Sequence, residues 1–186
     1  MYTTKFISSE DELRQVAEIS RLNSEDYVTD DIKAAEGYTS WKYTFEDLKA
    51  LHEIAPSVVV KDGERVVGYL LVLVKASAAV YEPLTDALKI FDGKLYNGKP
   101  FLSYNVYFLG QTCIDINYRG QGLLRKLYQF HKDNFESVFD FALSAIARDN
   151  PKSLAVHTKL GFRTLFPFTE GDLVWDAVMW DFNMGE

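Results

Sequence analysis

Cysteine is almost missing from this chain. Cys113 is the single one, which excludes an intrachain disulfide and a cysteine-rich zinc site. No stretch of about 18 apolar residues occurs, so no membrane-spanning helix is expected. The opening segment, MYTTKFISSEDE, has no basic region followed by an apolar run, and the expected location is cytoplasmic. Positive charge is also in deficit: 20 Lys and Arg against 27 Asp and Glu leave a formal charge of -7. Extended contact with nucleic-acid phosphates or anionic lipid is therefore unfavourable, and neither nucleic acid nor membrane is expected as a partner. A cationic small substrate is mildly favoured. Repeats, low-complexity tracts and linkers are absent too, so the 186 residues, 47% apolar and 25% charged, are expected to form one domain over 1–186.

What is present is an alternation of element types. Residues 3 to 8 suit a short edge strand. Ser9 and Glu12 have capping-box spacing ahead of Leu13, Val16 and Ala17, which predicts a helix to about Leu22. A looser polar region follows over 23 to 43, and Thr44 reads as the cap of a helix with Phe45, Leu48 and Leu51 on its apolar side. Two β-branched runs from Ser57 and Arg65, joined by Asp62-Gly63, predict an antiparallel hairpin. A short helix near 84 to 91, a turn-rich segment over 92 to 100 and a long strand over 102 to 116 come next, with Gly110 marking a bulge or break. The remainder reads as a helix from Gly122 to Phe135, a strand over 139 to 146, a helix opened by Asn150-Pro151 and stopped at Gly161, and strands near 162 to 166 and 173 to 182. This order is α/β, and its strand, helix, strand step implies a parallel pair.

Two segments carry chemistry. In the first, Tyr118-Arg-Gly-Gln-Gly-Leu-Leu-Arg125, a strand feeds through glycines into a helix, whose free N–H groups and positive end suit a phosphate. A P-loop pattern is missing, and a Rossmann fingerprint would need a third glycine where Arg125 stands. In the second, Asn150, Ser153, Leu154, His157 and Leu160 recur at helical spacing and share one face of a short helix.

The stretch from Ile114 to Arg125 resembles motif A of the GNAT superfamily of acetyl-CoA-dependent N-acetyltransferases, with Arg119, Gly122 and Leu124 on its defining positions. Leu124 departs from the small residue usual there. Residues 150 to 162 resemble motif B, with His157 in place of the usual Tyr. The resemblance implies a mixed, mostly antiparallel sheet of about six to seven strands flanked by helices, with a splayed parallel pair at the cofactor site. It implies acetyl-CoA as cofactor and an amine, small-molecule or peptide, as acceptor, in a monomer or homodimer. Backbone groups of Ile114 and Ile116 would meet the pantetheine and thioester. The loop of Arg119, Gly120, Gln121, Gly122, Leu123 and Leu124 would bind the pyrophosphate, and Asn150 and Ser153 would contact the arm from the other side. His157 is the candidate acid, donating N–H to the departing sulfur. Asp115, Gln111 and Tyr107 are the alternatives for the base, and Cys113 is expected to be a small buried apolar residue. The acceptor region falls in 23 to 43 and 76 to 100, including Trp41, Tyr43, Tyr81 and Phe91. The alternative reading is a non-catalytic acyl-CoA-binding or regulatory module of the same fold.

Overall fold

A computed structural model describes residues 1–182; the last four residues of the expected 1–186 domain lie outside the described residues. The strands are β1 Tyr2–Phe6, β2 Val58–Asp62, β3 Arg65–Val74, β4 Leu95–Tyr96, β5 Lys99–Pro100, β6 Val106–Ile114, β7 Phe141–Ala147, β8 Arg163–Glu170 and β9 Leu173–Asp181. The helices are α1 Glu10–Leu22, α2 Asp30–Glu36, α3 Phe45–Ile54, α4 Glu82–Phe91, α5 Leu123–Phe135 and α6 Pro151–Lys159. Seven strands form one mixed sheet in the order β1-β2-β3-β6-β7-β9-β8, in which the β6–β7 pair is parallel. The expected fold class is the observed one.

Local chemistry explains most boundaries. The Ser9 hydroxyl accepts from the Glu12 N–H at 3.2 Å and starts α1. The Glu12 carboxylate does not complete the box. It takes the Ser8 N–H at 2.9 Å, Lys5 at 2.7 Å and Lys61 at 2.8 Å. Thr44 and Asp47 make the full reciprocal box ahead of α3. β3 reads as an unbroken apolar run because both of its faces are covered. Tyr69, Leu71 and Leu73 pack with α1, α3 and α4 on one side of the sheet. Val67, Leu70 and Val72 pack with α5 on the other.

Several expectations are corrected. The long strand spans Val106–Ile114, since Phe101–Ser103 coils into a 3-10 turn and Ile116–Tyr118 forms another. The turn-rich segment contains a small two-stranded ladder, β4–β5. The polar region of 23 to 43 contains α2, capped by Thr29, and β8 runs to Glu170, beyond the expected end at 166. Gly110 is a bulge as expected: opposite β3 the register passes from Leu71–Gln111 to Val72–Leu109. A Cβ there would lie 1.7 Å from Leu73 Cδ1 and 2.8 Å from the Tyr43 hydroxyl, so any side chain would have to displace both.

The bulge sits where the site opens. β6 and β7 pair only over Val106–Phe108 and Phe141–Leu143. Beyond that the strands part, while β7 stays paired to β9 as far as Ala147. The Ser144 hydroxyl reaches across to the Leu109 carbonyl at 3.3 Å near the start of the gap. Among the described residues no helix is long and apolar enough to cross a membrane.

Candidate active site

The chain leaving β6 is committed residue by residue. The Asp115 carboxylate caps the following turn through the Asn117 N–H at 3.0 Å and pairs with Arg65 at 2.8 Å, which removes it as a free base. Ile116 is 48% exposed and lines neither cavity described below, whereas Ile114 lines the larger of them. Arg119 also differs from expectation. Its guanidinium donates to the Ile114 carbonyl at 3.1 Å, the Glu36 carbonyl at 3.1 Å and Asn23 Oδ1 at 2.8 Å, and pairs with the Glu36 carboxylate at 3.2 Å. The side chain braces β6 against α2, leaving the loop backbone as the anion-facing group.

That backbone is open. Gly120 and Gly122 hold φ of +75° and +74°, and an added Cβ would meet empty space at both; glycine is required by the left-handed conformation, not by crowding. No side chain caps α5, and the N–H groups from Gly120 to Leu124 have no hydrogen-bond partner among the described residues. A helix end with a ladder of unpartnered amides attracts anions. The Gln121 side chain turns away, accepting from the Tyr2 hydroxyl at 2.6 Å. Leu123 is buried, and Leu123 and Leu124 help line the cavity beside the loop.

Across the gap, Asn150 is spent on structure. Its Oδ1 accepts from the Ser153 N–H at 3.2 Å and caps α6, while its Nδ2 donates to the Tyr38 carbonyl at 3.1 Å. It thereby ties α6 to the segment 37 to 39.

Two cavities meet between these walls. The larger, about 560 Å³, runs from the open end of α5 past Ile114 to α6. The smaller, about 140 Å³, lies among α4, β6, β7 and the β8–β9 hairpin. Thr112, Ser153 and His157 line both. Of the aromatics expected on the acceptor side, Trp41 and Phe91 line the smaller cavity; Tyr43 and Tyr81 stack behind it at 4.8 Å between ring centroids. Phe168, Glu170 and Trp175 complete the wall, a contribution that the sequence reading missed.

The hydrogen bonds of His157 fix its tautomer. Nδ1 lies 2.8 Å from the Ser153 carbonyl, which can only accept, so Nδ1 carries the hydrogen. Nε2 lies 2.9 Å from the Tyr128 hydroxyl and must accept from it. The Tyr128 oxygen is 3.2 Å from Thr112 Oγ1. A chain of hydroxyls thus runs from Thr112, at the junction of the cavities, through fully buried Tyr128 to His157. Burial holds the His157 imidazole below its ordinary pKa, partly offset by the Ser153 carbonyl, so the ring is neutral at pH 7. Direct donation of a His157 N–H to sulfur is not what this geometry offers, because the one N–H is engaged by Ser153. Tyr128 is the residue that sequence reasoning overlooked. A tyrosine on the buried face of α5 needs a hydroxyl partner, and that need was the available signal.

The other candidate bases are also occupied. Gln111 accepts from the hydroxyls of Ser20 and Tyr69 and donates to the Trp41 carbonyl at 2.7 Å. Tyr107 is buried against His131. Burial pushes the Cys113 thiol up to about 11, so it is a protonated, apolar wall residue.

A splayed parallel pair, an uncapped helix at one end of the gap and a second chamber at the other define an α/β protein of the acyltransferase class. The chain belongs to the acetyltransferase (GNAT) family, whose profile matches residues 16–162. Solved structures share the fold. The ribosomal-protein-S18-alanine N-acetyltransferase of Escherichia coli is 12% identical with a TM-score of 0.63, covering 100% of this chain and 97% of its own. A putative acetyltransferase of Salmonella typhimurium, solved with its cofactor acetyl-CoA, is 15% identical with a TM-score of 0.63 and coverages of 100% and 96%. A spermidine N-acetyltransferase chimera from Vibrio cholerae and hSSAT is 14% identical with a TM-score of 0.59 and coverages of 97% and 95%. No curated protein sequence matches the chain. The first and third of these structures are named for different acceptors while sharing one fold, so the acceptor must be argued from the cavity of each.

Proposed function

We propose that this chain, acting as one domain in the cytoplasm, transfers an acetyl group from acetyl-CoA to an acceptor amine. The single observation that carries this reading is the meeting of two unequal cavities at Thr112, Ser153 and His157, where β6 and β7 part. The larger cavity and the open amides from Gly120 to Leu124 suit a long phosphorylated thioester, with Ile114 and Ser153 along its path. When bound, the thioester supplies an activated acetyl group. The protein supplies proton handling. Thr112 Oγ1 takes a proton from the incoming ammonium as its own proton passes to the Tyr128 oxygen and the Tyr128 proton passes to His157 Nε2. The resulting imidazolium holds both N–H groups in hydrogen bonds, to Ser153 and Tyr128. Its depressed pKa favours giving that proton back along the same chain to the departing thiolate, while the nitrogen's second proton is lost to solvent as the amide forms.

Release of free thiol from acetyl-CoA in the presence of an amine panel tests the reading. We expect amine-dependent thiol release, and a higher melting temperature with acetyl-CoA than without, since a ligand that binds only the folded state stabilises it. Stabilisation by acetyl-CoA with no transfer to any amine would identify a binding module instead.

A further inference from the structure

The smaller cavity bears on which amine is used. Its wall is unusual in charge: among the described residues lining it, Glu170 is the one carboxylate, and neither lysine nor arginine is present. His157 is neutral, and Glu170 is exposed. The amide groups that line it are already spent, Gln111 on Ser20, Tyr69 and Trp41, and Asn150 on Ser153 and Tyr38. Uncharged hydroxyls of Tyr38, Thr39, Ser40, Thr112, Ser144 and Ser153 also line it, and its broadest apolar surface is aromatic. Phe168 and Trp175 stack at 6.5 Å between centroids and 15° between planes, facing a chamber that Trp41, Phe91 and Phe108 also line. At about 140 Å³ it matches the scale of an apolar cavity that admits one benzene ring, about 150 Å³.

Resting on the acetyl-transfer reading above, we propose that the acceptor is a small primary amine carried on an uncharged apolar body of about one aromatic ring. A free amino acid would bring its carboxylate into a chamber with no cation to pair it, and burying an unpaired charge is costly. A polyamine would bring further ammonium groups against a single carboxylate. A peptide N-terminus would bring a main chain with several N–H and C=O groups to a chamber of about 140 Å³, the scale of a single ring.

The discriminating pair is 2-phenylethylamine against phenylalanine, which differ only by the carboxylate, with spermidine and a tripeptide beginning in Phe as further arms. With acetyl-CoA as donor, kcat/KM for 2-phenylethylamine should exceed that for each of the other three by about 100-fold or more. Calorimetry in the presence of coenzyme A should detect 2-phenylethylamine and not phenylalanine, a readout independent of turnover. Phe168, partly exposed on β8, gives the variant: Phe168→Ala should raise KM for 2-phenylethylamine about tenfold and leave kcat and acetyl-CoA affinity nearly unchanged. Preference for phenylalanine, spermidine or the tripeptide would overturn the assignment of this class while leaving acetyl transfer intact. Absence of thiol release with every amine would overturn acetyl transfer, and this assignment with it.

Discussion

Replacing Tyr128 with Phe is expected to lower kcat by about 100- to 1,000-fold while KM for acetyl-CoA changes little. The substitution keeps the ring that packs against Phe162 and Trp180 and removes only the hydroxyl that joins Thr112 to His157. His157→Phe should produce a similar loss. The double variant should be little worse than either single one, because groups that act as a unit are grossly non-additive. The acid side of the pH profile separates this from a packing effect. His157 must be neutral to receive a proton, and burial lowers its pKa, so wild-type kcat should decline only below the ordinary imidazole range near about 6.5. In His157→Phe that decline should vanish from the residual activity. Additive losses, or an acid limb that survives in His157→Phe, would contradict the relay.

Stability should fall steeply in mild acid, and the largest single cause is His131. It is fully buried on α5 with Nδ1 unpartnered, and burial brings its pKa down to about 3. An unfolded histidine takes up a proton near pH 6.5. The folded one does not, so between those limits the unfolded chain binds more protons and stability declines as pH falls. From pH 6.5 to about 3 this amounts to on the order of 5 kcal/mol, comparable with the whole stability of many domains, about 5–15 kcal/mol. Burial depresses His52 and His157 as well, in the same direction. Glu12 adds a later loss: burial would raise its pKa, but Lys5, Lys61 and the Ser8 N–H outweigh that and hold it at about 2, so its contribution fades below about pH 4.5. Urea unfolding at pH 7.5, 6 and 5 should give a falling midpoint. In His131→Phe the midpoint should start lower, because Tyr107 loses its partner, and should decline less with acid. An equally steep decline in that variant would contradict the assignment.

These two histidines show where the sequence was informative and where it was not. Caps and turns were legible because their chemistry is local: Ser9, Thr44, Asn150 and Asp62-Gly63 each act on backbone within three residues. The splay of β6 from β7 was legible only through the GNAT resemblance, although Gly110 announced the bulge beside it. α2 was hidden because its seven residues carry little apolar periodicity. It is held by distant side chains instead, Arg119 on the Glu36 carbonyl and Lys152 on the Ala35 carbonyl at 3.1 Å. Arg119 and Asn150 match motif positions and Gln121 lies in the motif A loop, yet all three side chains are drawn into contacts far along the chain, which no local pattern records. Tyr128 was missed for the same reason: its partners, Thr112 and His157, come from two other elements. The wall made by Phe168 and Trp175 depends on the register of β8 on β9, which sets these two residues opposite each other.

Amide chemical shifts of the labelled protein, followed as coenzyme A is added, test most directly whether the free backbone at the start of α5 is the anion site. The account predicts that Gly120, Gln121, Gly122, Leu123 and Leu124 move most, with the far end of α5 near Phe135 unmoved. Saturation with coenzyme A that leaves those five amides in place would contradict it.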